Sequence, residues 1–277
     1  CSSDLVKWGT VPFYVPFIPL GVWAHPQSIS TWGDSAVEVP WTLYMESGDP
    51  QVLADSYDLS RDWVNEVEQY LSPDGVWDRK PDFPLGQLGD WLDPTAPPED
   101  PTQAMTAKEL VATAFYARSC IQITRIAEIL GYADDAARYA ALRDHVIAGF
   151  LDRFIRLDGT MTSDTQCAYA LAIAFGLLDG EPVRKVKAGN CLACLVRESG
   201  GKVSTGFAGT PFVLPALTQT GHDDEAYQLL TSTECPSWLY QVTMGATTTW
   251  ERWDSMRPDR SLNPGGMTSF NHYALGS

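Results

Sequence analysis

Positive charge is scarce in this 277-residue chain: 19 Lys and Arg stand against 35 Asp and Glu, a formal net charge of −16. Binding to phosphate needs clustered Lys and Arg, so the balance argues against nucleic acid and anionic membrane as partners. It suits a neutral substrate, or simply serves solubility. Long apolar runs are also missing, and none approaches the roughly 18 consecutive apolar residues of a membrane span. No apolar core followed by small residues marks a signal peptide. A soluble protein is expected, with its compartment and oligomeric state left open. Histidine is rare, with four in all. His25, His145 and His222 read as surface or turn residues, and only His272 sits in a cluster.

The six cysteines (Cys1, Cys120, Cys167, Cys191, Cys194 and Cys235) are scattered through segments that read as helix interiors or ends, so free, mostly buried thiols are expected. Cys191 and Cys194 have C-x-x-C spacing, but no second pair or nearby His completes a zinc site and no strand precedes them. No metal or cofactor is therefore expected. Cys1-Ser-Ser matches the acylated start of a lipoprotein or, as preferred here, the point where a fragment begins.

What is present is ample core material, 44% apolar residues including ten Trp, patterned for helix. From Thr106 to Leu130, Leu110, Ala114, Ala117 and Ile121 recur at steps of three and four. Gly131 offers a stop and Asp134 or Asp135 an N-cap for a second helix carrying Tyr139, Leu142, Val146 and Phe150 on one face. A short polar turn between two such helices makes an αα-hairpin. The same idiom recurs around Gly48, Gly180 and Gly221, at the spacing of stacked helical pairs. Stacked hairpins must close on one another or expose an apolar face, so an all-α toroid or solenoid is expected. Residues 1–277 form a single domain on this reading. Residues 1–30, rich in proline, make an extended lead-in.

Polar and aromatic clusters in the connections are the candidate site. They are Trp32-Gly-Asp34, Asp90-Trp91-Leu92, Asp164-Thr-Gln166, Ser204 to Pro211, and above all Trp250-Glu251-Arg-Trp253-Asp254 with Asn271-His272-Tyr273. Indole faces stack on the C–H surface of a pyranose, while a carboxylate and an imidazole bond its hydroxyls or activate a water. Glu251 flanked by Trp250 and Trp253 has the makings of a glycosidase site. The alternative is a packed element in which both indoles are core. Asp34 reads equally as the N-cap of a helix from about Ser35, and Asp164 as another cap.

In this order, W-G-D at 32–34, D-W-L at 90–92, D-T-Q at 164–166, T-G-F-x-G-T-P at 205–211, P-S-W-L-Y at 236–240, W-E-R-W-D at 250–254 and S-F-N-H-Y-A at 269–274, the motifs resemble the bacterial α-L-rhamnosidases along nearly the whole chain. The resemblance implies an (α/α)6 six-hairpin barrel that hydrolyses terminal α-L-rhamnosyl linkages with inversion, and so an L-rhamnose-containing glycoside as partner. It implies Glu251 as the general base, and His272, Trp91, Trp32 and Asp34 as contacts to rhamnose. Asp90, Trp250 and Trp253 join them as candidates by position. In that family the general acid lies in an acidic, arginine-containing motif upstream of W-G-D. Residues 1–31 hold only Asp4, so the chain is expected to be the C-terminal two-thirds of the barrel, with the acid outside it. Two further readings stay open. One is a rhamnose-binding or catalytically degenerate protein. The other is a different (α/α)6 glycosidase or a uronate lyase, in which His272, Asn271 and Arg252 serve the substrate carboxylate.

Overall fold

The structure is a computed structural model, and the residues described are 11–14, 17, 21, 27–78 and 85–276. They are helical, with two isolated β-bridges and no strand among them. The chain divides into two compact units, one running to Leu88 and resuming over Ala112–Arg153, the other taking Gly89–Val111 and the chain from Phe154 onward. Most of the expected lead-in over residues 1–30, with Cys1 and His25, lies outside the described residues.

In the first unit α1 (Ser35–Ser47) and α2 (Pro50–Glu68) form a hairpin. Its turn follows a familiar logic: Gly48 ends α1 in the left-handed conformation, Asp49 caps α2 by accepting from Gln51 N, and Pro50 opens the first turn. Then come α3 (Lys108–Leu130) and α4 (Ala133–Phe154). The first matches the expected 106–130 span. Asp134 and Asp135 do not cap the second; they lie inside its first turn, where negative charge complements the helix dipole. Asp135 instead accepts from the Tyr57 hydroxyl on α2 at 2.6 Å. Tyr139, Val146 and Phe150 are buried as their spacing foretold, with Leu142 half-buried. Around Trp63 the core is aromatic: Trp63 meets Trp77 edge-on at 6.3 Å, and Trp77 meets Tyr116 at 6.1 Å. Such pairs add to the burial of their own large surfaces.

The second unit is built around α5 (Gln166–Ala174), whose residues from Gln166 to Ile173 are all buried. A helix apolar on every side belongs inside a core, and α6 (Pro182–Glu198) and α7 (Thr210–Gln219) pack on it. Beyond them lie α8 (Asp223–Thr231) and α9 (Trp238–Thr243). One capping assignment changes. Thr165, not Asp164, caps α5, accepting from Ala168 N, while Asp164 accepts from the Tyr169 hydroxyl at 2.8 Å. The expected turn around Gly180 is present, and α5 closes ahead of it through Gly176, left-handed at φ 72°. The bonds Gly176 N to Ile173 O and Leu177 N to Ala172 O close its last turn.

Among the described residues the five cysteines are free thiols, but only Cys120 and Cys167 are buried. Cys191 and Cys194 share α6, where the Cys194 thiol donates to Glu198 at 3.3 Å. No helix among the described residues is long and apolar enough to cross a membrane.

Candidate functional site

The terminal segment of the second unit has little regular structure, so its residues are placed by individual bonds. Glu251 N donates to Ser269 O at 2.9 Å, and Ser269 N returns a bond of 2.9 Å to the Glu251 side chain at Oε2. His272 N donates to Thr249 O at 2.9 Å. These bonds join 249–251 to 269–272, so the stretch that carries Glu251 lies beside the one that carries His272 although twenty-one residues separate the two. Both side chains are half-buried. Among the described residues Oε1 of Glu251 takes no hydrogen bond. His272 Nδ1 accepts from Ala274 N at 3.3 Å, so the neutral ring carries its proton on Nε2 and presents an N–H donor there.

The two indoles beside Glu251 are enclosed. Trp250 is 2% exposed and Trp253 1%. Trp253 donates from Nε1 to Thr205 O at 2.8 Å and meets Trp238 edge-on at 5.3 Å. Trp250 N is held by the Gln241 amide oxygen at 3.0 Å, and its ring meets Phe270 edge-on. Both indoles are therefore packed as core, the alternative the sequence left open. Arg252 is also enclosed, 4% exposed, with Nη2 on Ala96 O at 3.1 Å and Nε near Asp254 at 3.5 Å. It has no open face for the substrate carboxylate that a lyase would require.

A second cluster gathers around Asp90, which is 0% exposed. Its Oδ2 accepts from Gly206 N and its Oδ1 from Gly209 N, each at 2.9 Å. Both oxygens are thus committed to the T-G-F-A-G-T turn. Burial and the nearby Asp93 push its carboxyl up to about 7, against the pull of the two N–H bonds and the Cys167 thiol. The glycines of the motif have a steric cause. A Cβ on Gly206 would lie 2.2 Å from Trp91 O and 2.4 Å from Asp90 O, and one on Gly209 would press on Cys167 at 2.9 Å. Trp91, nearly buried, accepts on its carbonyl from Phe207 N at 2.8 Å.

In the first unit, W-G-D has its own explanation. Asp34 is 3% exposed. Its Oδ1 accepts from Trp63 Nε1 at 3.1 Å and Ser119 Oγ at 2.7 Å, and its Oδ2 from Thr31 N at 2.8 Å. It stands at the N-cap position of α1, but with helical angles and no side-chain cap bond, so the capping expectation is corrected: the carboxylate ties α1 to α2 and α3. Burial raises its pKa, opposed by Ser119, Thr31 and Trp63. Gly33 leaves room for the Trp63 ring, which a Cβ would meet at 2.0 Å. Trp32 remains half-buried.

Sequence reasoning singled out the 204–211 segment but not Phe207 within it, nor Ser269 as the holder of Glu251. Two glycines bracketing one aromatic was the available signal for the first. For the second there was none, because a backbone amide is the same at every residue.

Residues 3–277 match the family described as the bacterial alpha-L-rhamnosidase six-hairpin glycosidase domain. The chain is 40% identical over 249 residues to an alpha-L-rhamnosidase of Streptomyces avermitilis, covering 90% of this chain and 22% of that protein. Among solved structures, native alpha-L-rhamnosidase from Aspergillus terreus is similar with a TM-score of 0.91 and 38% identity, over 99% of this chain and 31% of that one. The Streptomyces avermitilis alpha-L-rhamnosidase complexed with L-rhamnose is similar with a TM-score of 0.80 and 36% identity, over 99% and 26%. This chain therefore spans 22–31% of the length of these relatives.

Proposed function

The chain belongs to the bacterial α-L-rhamnosidase six-hairpin glycosidase family, and from that premise we infer that the protein hydrolyses terminal α-L-rhamnosyl linkages with inversion, Glu251 acting as general base. The observation that carries the role of Glu251 is its carboxylate geometry: Oε2 is fixed by Ser269 N at 2.9 Å while Oε1 takes no bond among the described residues. A general base needs this combination, a side chain held in one orientation with an oxygen left for the proton it removes.

In the reaction Oε1 takes a proton from water, whose oxygen bonds to the anomeric carbon as the bond to the leaving oxygen breaks on the opposite face. A general acid across the sugar returns a proton to that oxygen, at about 6.5–9.5 Å from the base so that the water fits between. No residue of this chain is assigned the role of that acid. His272 donates from Nε2 to a sugar hydroxyl, and Trp91, in the same unit, supplies apolar contact to the pyranose. Asp90 holds the turn that follows Thr205 against Trp91. The L-rhamnose of the similar Streptomyces avermitilis structure supports the choice of sugar.

The test is Glu251→Gln in the full-length protein, assayed on an aryl α-L-rhamnoside. The amide keeps the shape and cannot accept the proton, so kcat is expected to fall by at least about 10²–10⁴ with an unchanged melting temperature. Wild-type turnover by the variant removes Glu251 from the mechanism. NMR of the first-formed sugar tests inversion: β-L-rhamnose is expected, and α-L-rhamnose as the initial product overturns it.

A further inference from the structure

The turn that Asp90 holds reaches His272 through one side chain. Phe207 lies between Gly206 and Gly209, and its ring centroid is 5.1 Å from that of the His272 imidazole, with the planes 26° apart. Among the described residues of the terminal segment the imidazole has few other contacts. Its backbone has the one bond to Thr249 O, its Nδ1 has the long bond from Ala274 N, and the ring stacked beside it belongs to Tyr273, which is itself largely exposed.

Phe207, by contrast, is anchored on both sides. Its own N–H is on Trp91 O, and the N–H groups of Gly206 and Gly209 are on the two oxygens of Asp90. Immediately after Gly209 the chain enters α7 at Thr210, whose hydroxyl donates back to Gly206 O at 2.7 Å. Gly206 sits so close to the backbone of 90–93 that the turn has no room to shift inward. The turn is bonded on both sides of Phe207, and the stacked ring pair is the contact through which it reaches the imidazole.

We propose that Phe207 is a positioning residue for His272, holding the imidazole plane by stacking, and that Asp90 places Phe207 by clasping both ends of its turn. The consequence for sugar binding rests on the reading of His272 as a contact to rhamnose; the positioning itself does not. A ring fixed in one plane points its Nε2–H in one direction, so less orientational freedom is lost when a hydroxyl arrives.

Two measurements on the full-length protein test this. Calorimetric titration with L-rhamnose compares wild type, Phe207→Leu, Phe207→Tyr, His272→Ala and the Phe207→Leu/His272→Ala double variant. Losing the aromatic pair is expected to weaken binding about three- to tenfold in Phe207→Leu, with Phe207→Tyr restoring it to within about twofold. The double variant is expected to bind no more weakly than His272→Ala alone, because a residue acting only through His272 has nothing left to do. Additive losses overturn the proposal. Independently of any sugar, 13C relaxation of the His272 ring is expected to show a rigid imidazole in wild type and Phe207→Tyr and a mobile one in Phe207→Leu. An equally rigid ring in Phe207→Leu also overturns it. A mobile ring together with unchanged rhamnose affinity in His272→Ala supports the positioning and sinks the sugar contact instead.

Discussion

Asp34 in the first unit and Asp90 in the second are both enclosed carboxyls whose two oxygens are fully used, yet they fasten different things. Asp34 draws side-chain donors from two helices, Trp63 and Ser119, and one backbone N–H from Thr31. Asp90 draws chiefly on the backbone, its two oxygens taking N–H donors from two glycines of one turn with the Cys167 thiol beside them. Each stands beside a non-glycine residue in the left-handed region, Thr31 at φ 72° and Leu92 at φ 60°, a conformation that persists only where surrounding bonds enforce it. The lesson lies in the donors. A carboxylate bound to side chains ties helices that would pack anyway, and substitution of any one partner tests it. A carboxylate bound to main-chain N–H groups specifies a loop, and its partners are protected from substitution except through the glycines that let them approach.

The sharpest way to break the second arrangement is Gly206→Ala. The added Cβ would meet three backbone atoms, the farthest at 2.6 Å, and backbone cannot rotate aside. Destabilisation of about 3 kcal/mol or more is expected, with activity lost in proportion. The equivalent change in the first unit, Gly33→Ala, meets the end of the Trp63 ring. That ring is buried but has other rotamers, so about 1–3 kcal/mol is expected. Denaturant unfolding of both variants decides the matter, and a larger loss at Gly33 reverses the ranking of backbone over side chain.

Asp34→Ala comes next. It strands three donors, two of them on the buried side chains of Trp63 and Ser119, for an expected loss of roughly 2–4 kcal/mol. If Asp34 served only as a helix cap, the loss would stay near the ~1 kcal/mol typical of caps, and a value that small would refute the cross-helix tie.

These two clasps mark how far the sequence could be read. The helices were legible because periodicity is a property of neighbours: Leu110, Ala114 and Ala117 fixed α3 to within two residues of its start. The family and the candidate motifs were legible because order and spacing survive in the string. Bond partners were not. Asp34 before a helix looks like a cap, since capping is local, whereas its actual donors at 63 and 119 lie 29 and 85 residues away. Trp250 and Trp253 look like sugar platforms or core with equal justice, and only packing distinguishes them. Asp164 lost its capping role to Thr165 because either residue could have stood one place before the helix.

The two arrangements also differ in their dependence on pH. Asp90, faced by Asp93, the Cys167 thiol and the two glycine N–H groups, has its carboxyl pushed up to about 7 from an ordinary value of 3.8, burial being the main cause. Between those values the folded state keeps a proton that the unfolded state has released. Stability from this group is therefore fully present below about pH 4 and is lost as pH rises to about 7, with a slope on the order of 1.4 kcal/mol per pH unit. Asp34 and Asp93 are raised in the same direction, so the wild-type curve carries their contributions too. The difference between wild type and Asp90→Asn removes them. Unfolding free energies across this window are expected to converge as pH rises, because the amide neither gains nor loses a proton. The ionised carboxylate is meanwhile the stronger acceptor for two N–H groups, so the turn bearing Phe207 is held tightest where the fold as a whole gains least from Asp90. A pH-independent gap between the two proteins would mean that Asp90 stays ionised throughout, and that its two N–H bonds outweigh its burial.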